Sequence, residues 1–141
     1  MPLPAGSAGQ ACGDCLQRPP PLTAVHAAFV YAFPVDRLLP RFKFHHDLAA
    51  GHLFAKAMRQ ALATAPRPDA LIAVPLHRAR LRSRGYDQAL ELARPLATAL
   101  ALPTLSDALR RQRPTLPQSR LDAPARRRNL RDVFVTGRDR L

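Results

Sequence analysis

The segment from Pro75 to Gln88 reads PLHRARLRSRGYDQ, with Arg78, Arg80, Arg82 and Arg84 at alternate positions and Gly85 closing the run. A guanidinium presents a planar fork of donors that matches phosphate oxygens two at a time. Set beside the backbone N–H groups that open a helix near Asp87, such forks form an anion site. Gly85 supplies the positive φ or the close backbone approach that a loop around an anion needs. A solvated basic loop is the plainer reading of the same residues. His77 either donates to a phosphate or only shapes the loop.

Cys12 and Cys15 form one C-x-x-C. Structural zinc takes four ligands, so the pair is either half a zinc site or two ordinary reduced thiols. His26 is a lone candidate for a further ligand, without metal spacing. His45 and His46 follow the aromatic-basic run Phe42-Lys43-Phe44 and read as a solvated pair ahead of a helix.

The net charge is +12 over 141 residues, and it is uneven. Residues 1–76 hold seven Lys/Arg against four Asp/Glu, a balance of +3, whereas residues 77–141 hold fifteen Arg against six acids, a balance of +9. Twenty of the 22 basic residues are Arg. An Arg-rich proteome explains part of that excess but not its skew, so the partner is expected to be anionic: a phosphorylated small molecule or nucleic acid. No run approaches the roughly 18 apolar residues of a membrane span, and residues 1–11 lack the basic start of a signal peptide. With two cysteines and no disulfide framework, the expected setting is cytoplasmic, with no membrane insertion.

Hydrophobic patterning sets out the elements that must position these side chains. Residues 1–24 read as an irregular arm around the Cys pair, and 25–141 as one domain. Val25 to Phe33 is aromatic and β-branched and predicts a strand closed by Pro34. Residues 34–46, around Pro40, predict a turn and a short connector. Asp47 caps a helix whose stripe is Ala50, Leu53, Phe54, Ala57, Met58, Ala61 and Leu62, ended by Pro66 and Pro68. Asp69 to Val74 (DALIAV) predicts a short buried parallel strand. After the Arg loop, a second helix starts near Asp87 with Ala89, Leu92, Ala93, Leu96 and Leu100 on one face. Pro95 should kink it at about 3 kcal/mol. A short strand is expected within 102–109, a long polar loop over 110–131, and a strand from Asp132 to Thr136. The order implies an α/β fold with a doubly wound parallel sheet, whose ligands bind at the carboxyl ends of the strands. The Arg loop after Val74 lies there.

The stretch 71–88, LIAVPLHRARLRSRGYDQ, resembles the hallmark segment of the ComF family, V-P-V-P-L-H-x-x-R-x-x-x-R-G-F-N-Q. A second match is Arg111-x-Arg113-x-Thr115-x-x-Gln118-x-x-Leu121, then Arg126-x-x-Asn129-Leu130 and Val133-Phe134. It resembles the family's R-x-R-x-T-x-x-Q-x-x-L…R-x-x-N…F. A third, Leu39 to Phe44 (LPRFKF), resembles its L-I-x-x-F-K-F element. Among the departures from the pattern, Tyr86 stands where it has Phe, and Asp87 where it has Asn.

The resemblance implies a type I phosphoribosyltransferase-like fold, a parallel sheet with helices on both faces, incomplete here at the C-terminus. It implies that Pro75, Leu76, His77, Arg78, Arg80, Arg84, Gly85, Tyr86 and Gln88 form a pyrophosphate loop. Residues 110–129 would be a flexible lid, bringing Arg113, Thr115, Gln118, Arg126 and Asn129 to the ligand. That ligand would be phosphoribosyl pyrophosphate with Mg²⁺, and the reaction class pentosyl transfer. The single C-x-x-C would be the remnant of a zinc ribbon, with Zn²⁺ at Cys12 and Cys15. The family is associated with competence and so with other DNA-uptake proteins. The fold's acid pair and Thr-rich ribose-phosphate loop (D-D-x-x-T-T-G-x-T) is not found before Leu141, so this chain as given is expected to lack transferase activity. No catalytic residue is assigned. The competing expectation is a basic module for single-stranded DNA without enzymatic activity, carried by Phe42 to His46 and Arg126 to Arg128.

Overall fold

The computed structural model describes residues 13–118 and 121–137. It contains α1 (Gly13–Gln17), α2 (Val35–Phe44), α3 (Leu48–Ala61), α4 (Arg78–Arg84), α5 (Gln88–Leu100), β1 (Leu109–Arg111), α6 (Ala123–Leu130) and β2 (Phe134–Thr136). No helix among the described residues is long and apolar enough to cross a membrane.

The two helices expected from periodicity form, and both start on their expected caps. The Asp47 carboxylate accepts from the Ala50 N–H at 3.0 Å and pairs with Arg41 at 2.9 Å. That of Asp87 accepts from the Ala89 and Leu90 N–H groups. An Asp side chain there satisfies amides that the first helical turn leaves without partners. The buried stripe of α3 is not the expected one. Ala50, Gly51, Phe54 and Ala55 are buried, while Leu53 is 55% exposed. Small residues at 51 and 55 allow close approach: a Cβ on Gly51 would lie 2.5 Å from Phe42 Cε2. α3 also ends at Ala61, ahead of Pro66 and Pro68, and α5 runs through Pro95 to Leu100.

Residues 34–46 are a correction. They fold mostly as α2 rather than as a turn and connector. Val35, Leu38, Leu39 and Phe42 fall at i, i+3, i+4 and i+7, and burying that face outweighs the missing N–H of Pro40. Phe42 is 1% exposed and anchors a core with Ala50 and Phe54, against which Phe29, Val35, Leu38, Leu39, Tyr86 and Leu92 pack.

The sheet differs more. The expected strand 25–33 carries no regular strand, and its Val25, Val30, Tyr31 and Phe33 are exposed. Phe29 alone turns inward, its ring 5.3 Å from that of Phe54. Of the expected strands at 69–74 and 102–109, one parallel bridge forms between Leu71 and Thr104. The Leu71 N–H donates to Pro103 O, and the Leu105 N–H to Leu71 O. The chain between them runs through α4 and α5. The regular strands among the described residues are antiparallel, with Leu109 opposite Thr136 and Arg111 opposite Phe134. The fold is thus a mixture of helix and sheet in which helices dominate. The 110–131 segment is not a continuous loop, since it carries part of β1 and all of α6, which Asp122 caps at Ala125 N–H.

Candidate functional site

The run of four arginines is helical, not extended, and that changes where each one points. On a strand, alternate residues share one face; on a helix, residues four apart do. α4 therefore sorts the run into two pairs. Arg78 and Arg82 are exposed, whereas Arg80 and Arg84 are half-buried on the side facing the rest of the chain. Gly85 ends the helix at φ 80°, its N–H donating to Leu81 O at 2.8 Å. That conformation is costly for a residue with a Cβ.

The amides expected to receive an anion are already engaged. Asp87 holds those of Ala89 and Leu90, and His77 Nδ1 accepts from the Ala79 N–H at 3.2 Å at the start of α4. His77 therefore shapes the loop. Asp87 does one thing more: its second carboxylate oxygen accepts from the Leu76 N–H at 2.8 Å, tying the two ends of the 76–87 segment together. The negative charge at this departure from the family pattern is thus spread over three backbone donors. An Asn has one acceptor oxygen where Asp has two. Asp87→Asn is expected to lose the tie to Leu76 and to cost about 1 kcal/mol in urea unfolding.

What remains for a ligand is a set of side chains. Arg80 Nη2 donates to Thr115 O at 3.2 Å, and Arg111 Nη2 donates to the Thr115 hydroxyl. Two guanidiniums thus converge on one threonine. Neither they nor Arg84 forms an ion pair with a carboxylate among the described residues. Burial, and secondarily the Arg80 charge, lower the pKa of Arg111, and its Nε is buried without a partner. The pair is held together by the fold against its own repulsion. His77, Arg80, Arg111 and Thr115 line a cleft of about 230 Å³. A wider one of about 550 Å³ adds Pro75, Leu76, Arg78 and Asp107.

The other expected residues divide. Arg84 is fixed on two sides, donating to Gln88 Oε1 at 2.7 Å and lying 5.1 Å over the Phe44 ring. Gln88 is itself buried, so it supports Arg84 rather than lining either cleft. Tyr86 donates its hydroxyl to Phe42 O and packs on the Phe42 and His46 rings, so its place is the core edge. In the segment read as a lid, Arg126 Nε donates to Gln118 O at 2.9 Å, and Asn129 exchanges two hydrogen bonds with the Leu116 backbone. These residues brace 116–118 against α6. Arg113 is turned away, donating to Arg131 O. Cys15 lies on α1, whereas Cys12 lies outside the described residues. No cluster of three His, Cys, Asp or Glu side chains occurs among the described residues.

Arg111 is the residue that sequence reasoning missed. It opens the R-x-R-x-T motif, but only the pairing of β1 with β2 turns it toward Arg80, with Phe134 5.4 Å beneath its guanidinium. Lys43, Phe44 and His46 belong to the Phe42–His46 run of the competing nucleic-acid reading, not to the expected diphosphate site. They line a third cavity, of about 910 Å³, together with Arg80, Arg84 and Gln118.

No family model matches the chain, and no solved structure matches it. It is 34% identical over 138 residues to "DNA utilization protein YhgH" of Salmonella typhi, covering 94% of this chain and 61% of that protein. It is 34% identical over 131 residues to "Competence protein F" of Haemophilus influenzae, covering 89% of this chain and 57% of that protein. The chain thus spans about 60% of the length of the curated relatives it matches. These likenesses run across nearly all of its residues, the motifs around Arg80 and Thr115 included, and the chain belongs to the ComF family.

Proposed function

We propose that the chain binds a diphosphate group, that of phosphoribosyl pyrophosphate or pyrophosphate itself, in the cleft between α4 and Arg111–Thr115. The observation that carries this reading is the Arg80–Arg111 pair, two converging guanidiniums with no carboxylate paired to either among the described residues. An anion there supplies the charge that the fold withholds, and each guanidinium keeps donors for it. In this reading the Leu71–Thr104 bridge belongs to a phosphoribosyltransferase-like parallel sheet, with the cleft at its carboxyl end. The relatives' names support placing this ligand site in a protein of DNA uptake or use.

The residues present fit a magnesium ion carried by the ligand better than one held by the protein. The wider cleft offers one lining carboxylate, Asp107, and it is already paired with Arg110 at 3.5 Å. Mg²⁺ would therefore sit on the diphosphate oxygens and screen their charge. Arg80 and Arg111 orient the diphosphate, and His77 holds the turn that brings Arg80 to it.

The test is thermal unfolding of the wild-type chain with and without magnesium pyrophosphate and phosphoribosyl pyrophosphate. At ten times the dissociation constant a ligand stabilises the folded state by about 1.4 kcal/mol, a rise of several degrees for a chain of this size. An unmoved midpoint at millimolar ligand would remove the proposal.

A further inference from the structure

A cavity of about 910 Å³ adjoins the diphosphate cleft, and Arg80 and Ser83 line both. Three kinds of group meet in it. Tyr31 and Phe44 bring aromatic rings, 68% and 63% exposed. Lys43, Arg80 and Arg84 bring positive charge, and no acid among the described residues lines the cavity. Gln118 brings an amide whose Nε2 is buried without a partner.

We infer that this cavity is a subsite for a nucleotide, with the base on the rings and the phosphate on the cations. A phosphate or sugar phosphate alone would explain the cations but not two exposed rings beside them. An apolar ligand would explain the rings but would leave three cations desolvated without a counter-charge. A nucleotide uses both, because every base has a face that stacks on an aromatic ring and every nucleotide carries a phosphate. The Gln118 amide supplies a donor for an acceptor on the base edge. Arg84 is held for this task by Gln88 at 2.7 Å and by the Phe44 ring, and its planar guanidinium extends the stacking surface. Gln118 is held through its own carbonyl by Arg126. The inference shares Arg80 with the proposed diphosphate site and rests on that reading only there.

The chemistry fits a free nucleotide or one unit of a single strand, and titration calorimetry with adenosine 5′-monophosphate, a thymidylate hexamer and pyrophosphate separates them. Stacking of a base on an aromatic side chain is worth about 5- to 150-fold in affinity. Phe44→Leu is expected to weaken the monophosphate or hexamer by that factor while leaving pyrophosphate within about twofold. Tyr31→Leu, at a more exposed position outside the helices, serves as the second variant, and circular dichroism confirms that both are folded. A hexamer bound at least about tenfold tighter than the monophosphate assigns the site to single strands; equal affinities assign it to free nucleotides. Failure of both to bind the wild-type chain, or unchanged affinities in both variants, overturns the inference. Nucleotide binding that depends on Phe44 while pyrophosphate fails to bind would uphold it and remove the diphosphate proposal instead.

Discussion

Phe42→Ala is expected to lower the unfolding free energy by about 3–5 kcal/mol, against the roughly 5–15 kcal/mol that a folded domain has in all. Phe42 is 1% exposed, its ring 6.3 Å from that of Phe54 and 5.9 Å from that of Tyr86. Gly51 closes over it so tightly that an added Cβ would lie 2.5 Å from Cε2. A truncated side chain therefore leaves a void beside a residue that has no side chain to reach into it. The damage reaches the site through Tyr86. Its hydroxyl donates to the Phe42 carbonyl and its ring packs on the Phe42 side chain, and the residue follows Gly85 at the end of α4. Urea unfolding gives the measurement, as a lower midpoint at unchanged slope. A loss under about 1 kcal/mol would mean that the core is centred elsewhere.

How much of the fold was legible in the sequence depended on the range of the interactions involved. Asp47 and Asp87 were legible as caps because a cap and its helix lie within a few residues of each other. α2 was hidden by Pro40, although Val35, Leu38, Leu39 and Phe42 hold helical spacing; the proline cue is local, and the burial of Phe42 that overrides it is not. The strands were least legible. Among the described residues Val25–Phe33 has the composition of a strand but no strand to pair with, and Leu71 bridges to Thr104 alone, 33 positions away. The motif marked the arginine run as a candidate anion-binding segment, but not which of its arginines face inward. That depends on α4 being a helix, which separates Arg80 and Arg84 from Arg78 and Arg82. Arg111 shows the same limit, because its role arises only from the register that sets it opposite Phe134.

That register leads to the second large effect, in which stability and binding are expected to move in opposite directions. Arg111→Met is expected to weaken pyrophosphate by about 10- to 100-fold, the worth of charge-assisted hydrogen bonds to one guanidinium. Stability should not fall with it. Arg111 has a buried Nε without a partner, a pKa lowered first by burial and then by Arg80, and no ion pair with a carboxylate among the described residues. Met fills much of the same volume against Phe134 and removes the repulsion. The lost bond to Thr115 and the lost cation–π contact work the other way. Solvent screening at a half-buried site keeps the net gain to about 1 kcal/mol or less. Removing a strut would give the opposite pattern, lower stability with binding lost only because the cleft collapses. Urea midpoints and pyrophosphate titrations on the same preparations separate the two. A destabilisation above about 1 kcal/mol would make Arg111 a structural residue, whereas weakened binding at undiminished stability identifies a cationic pair that the fold holds for its ligand.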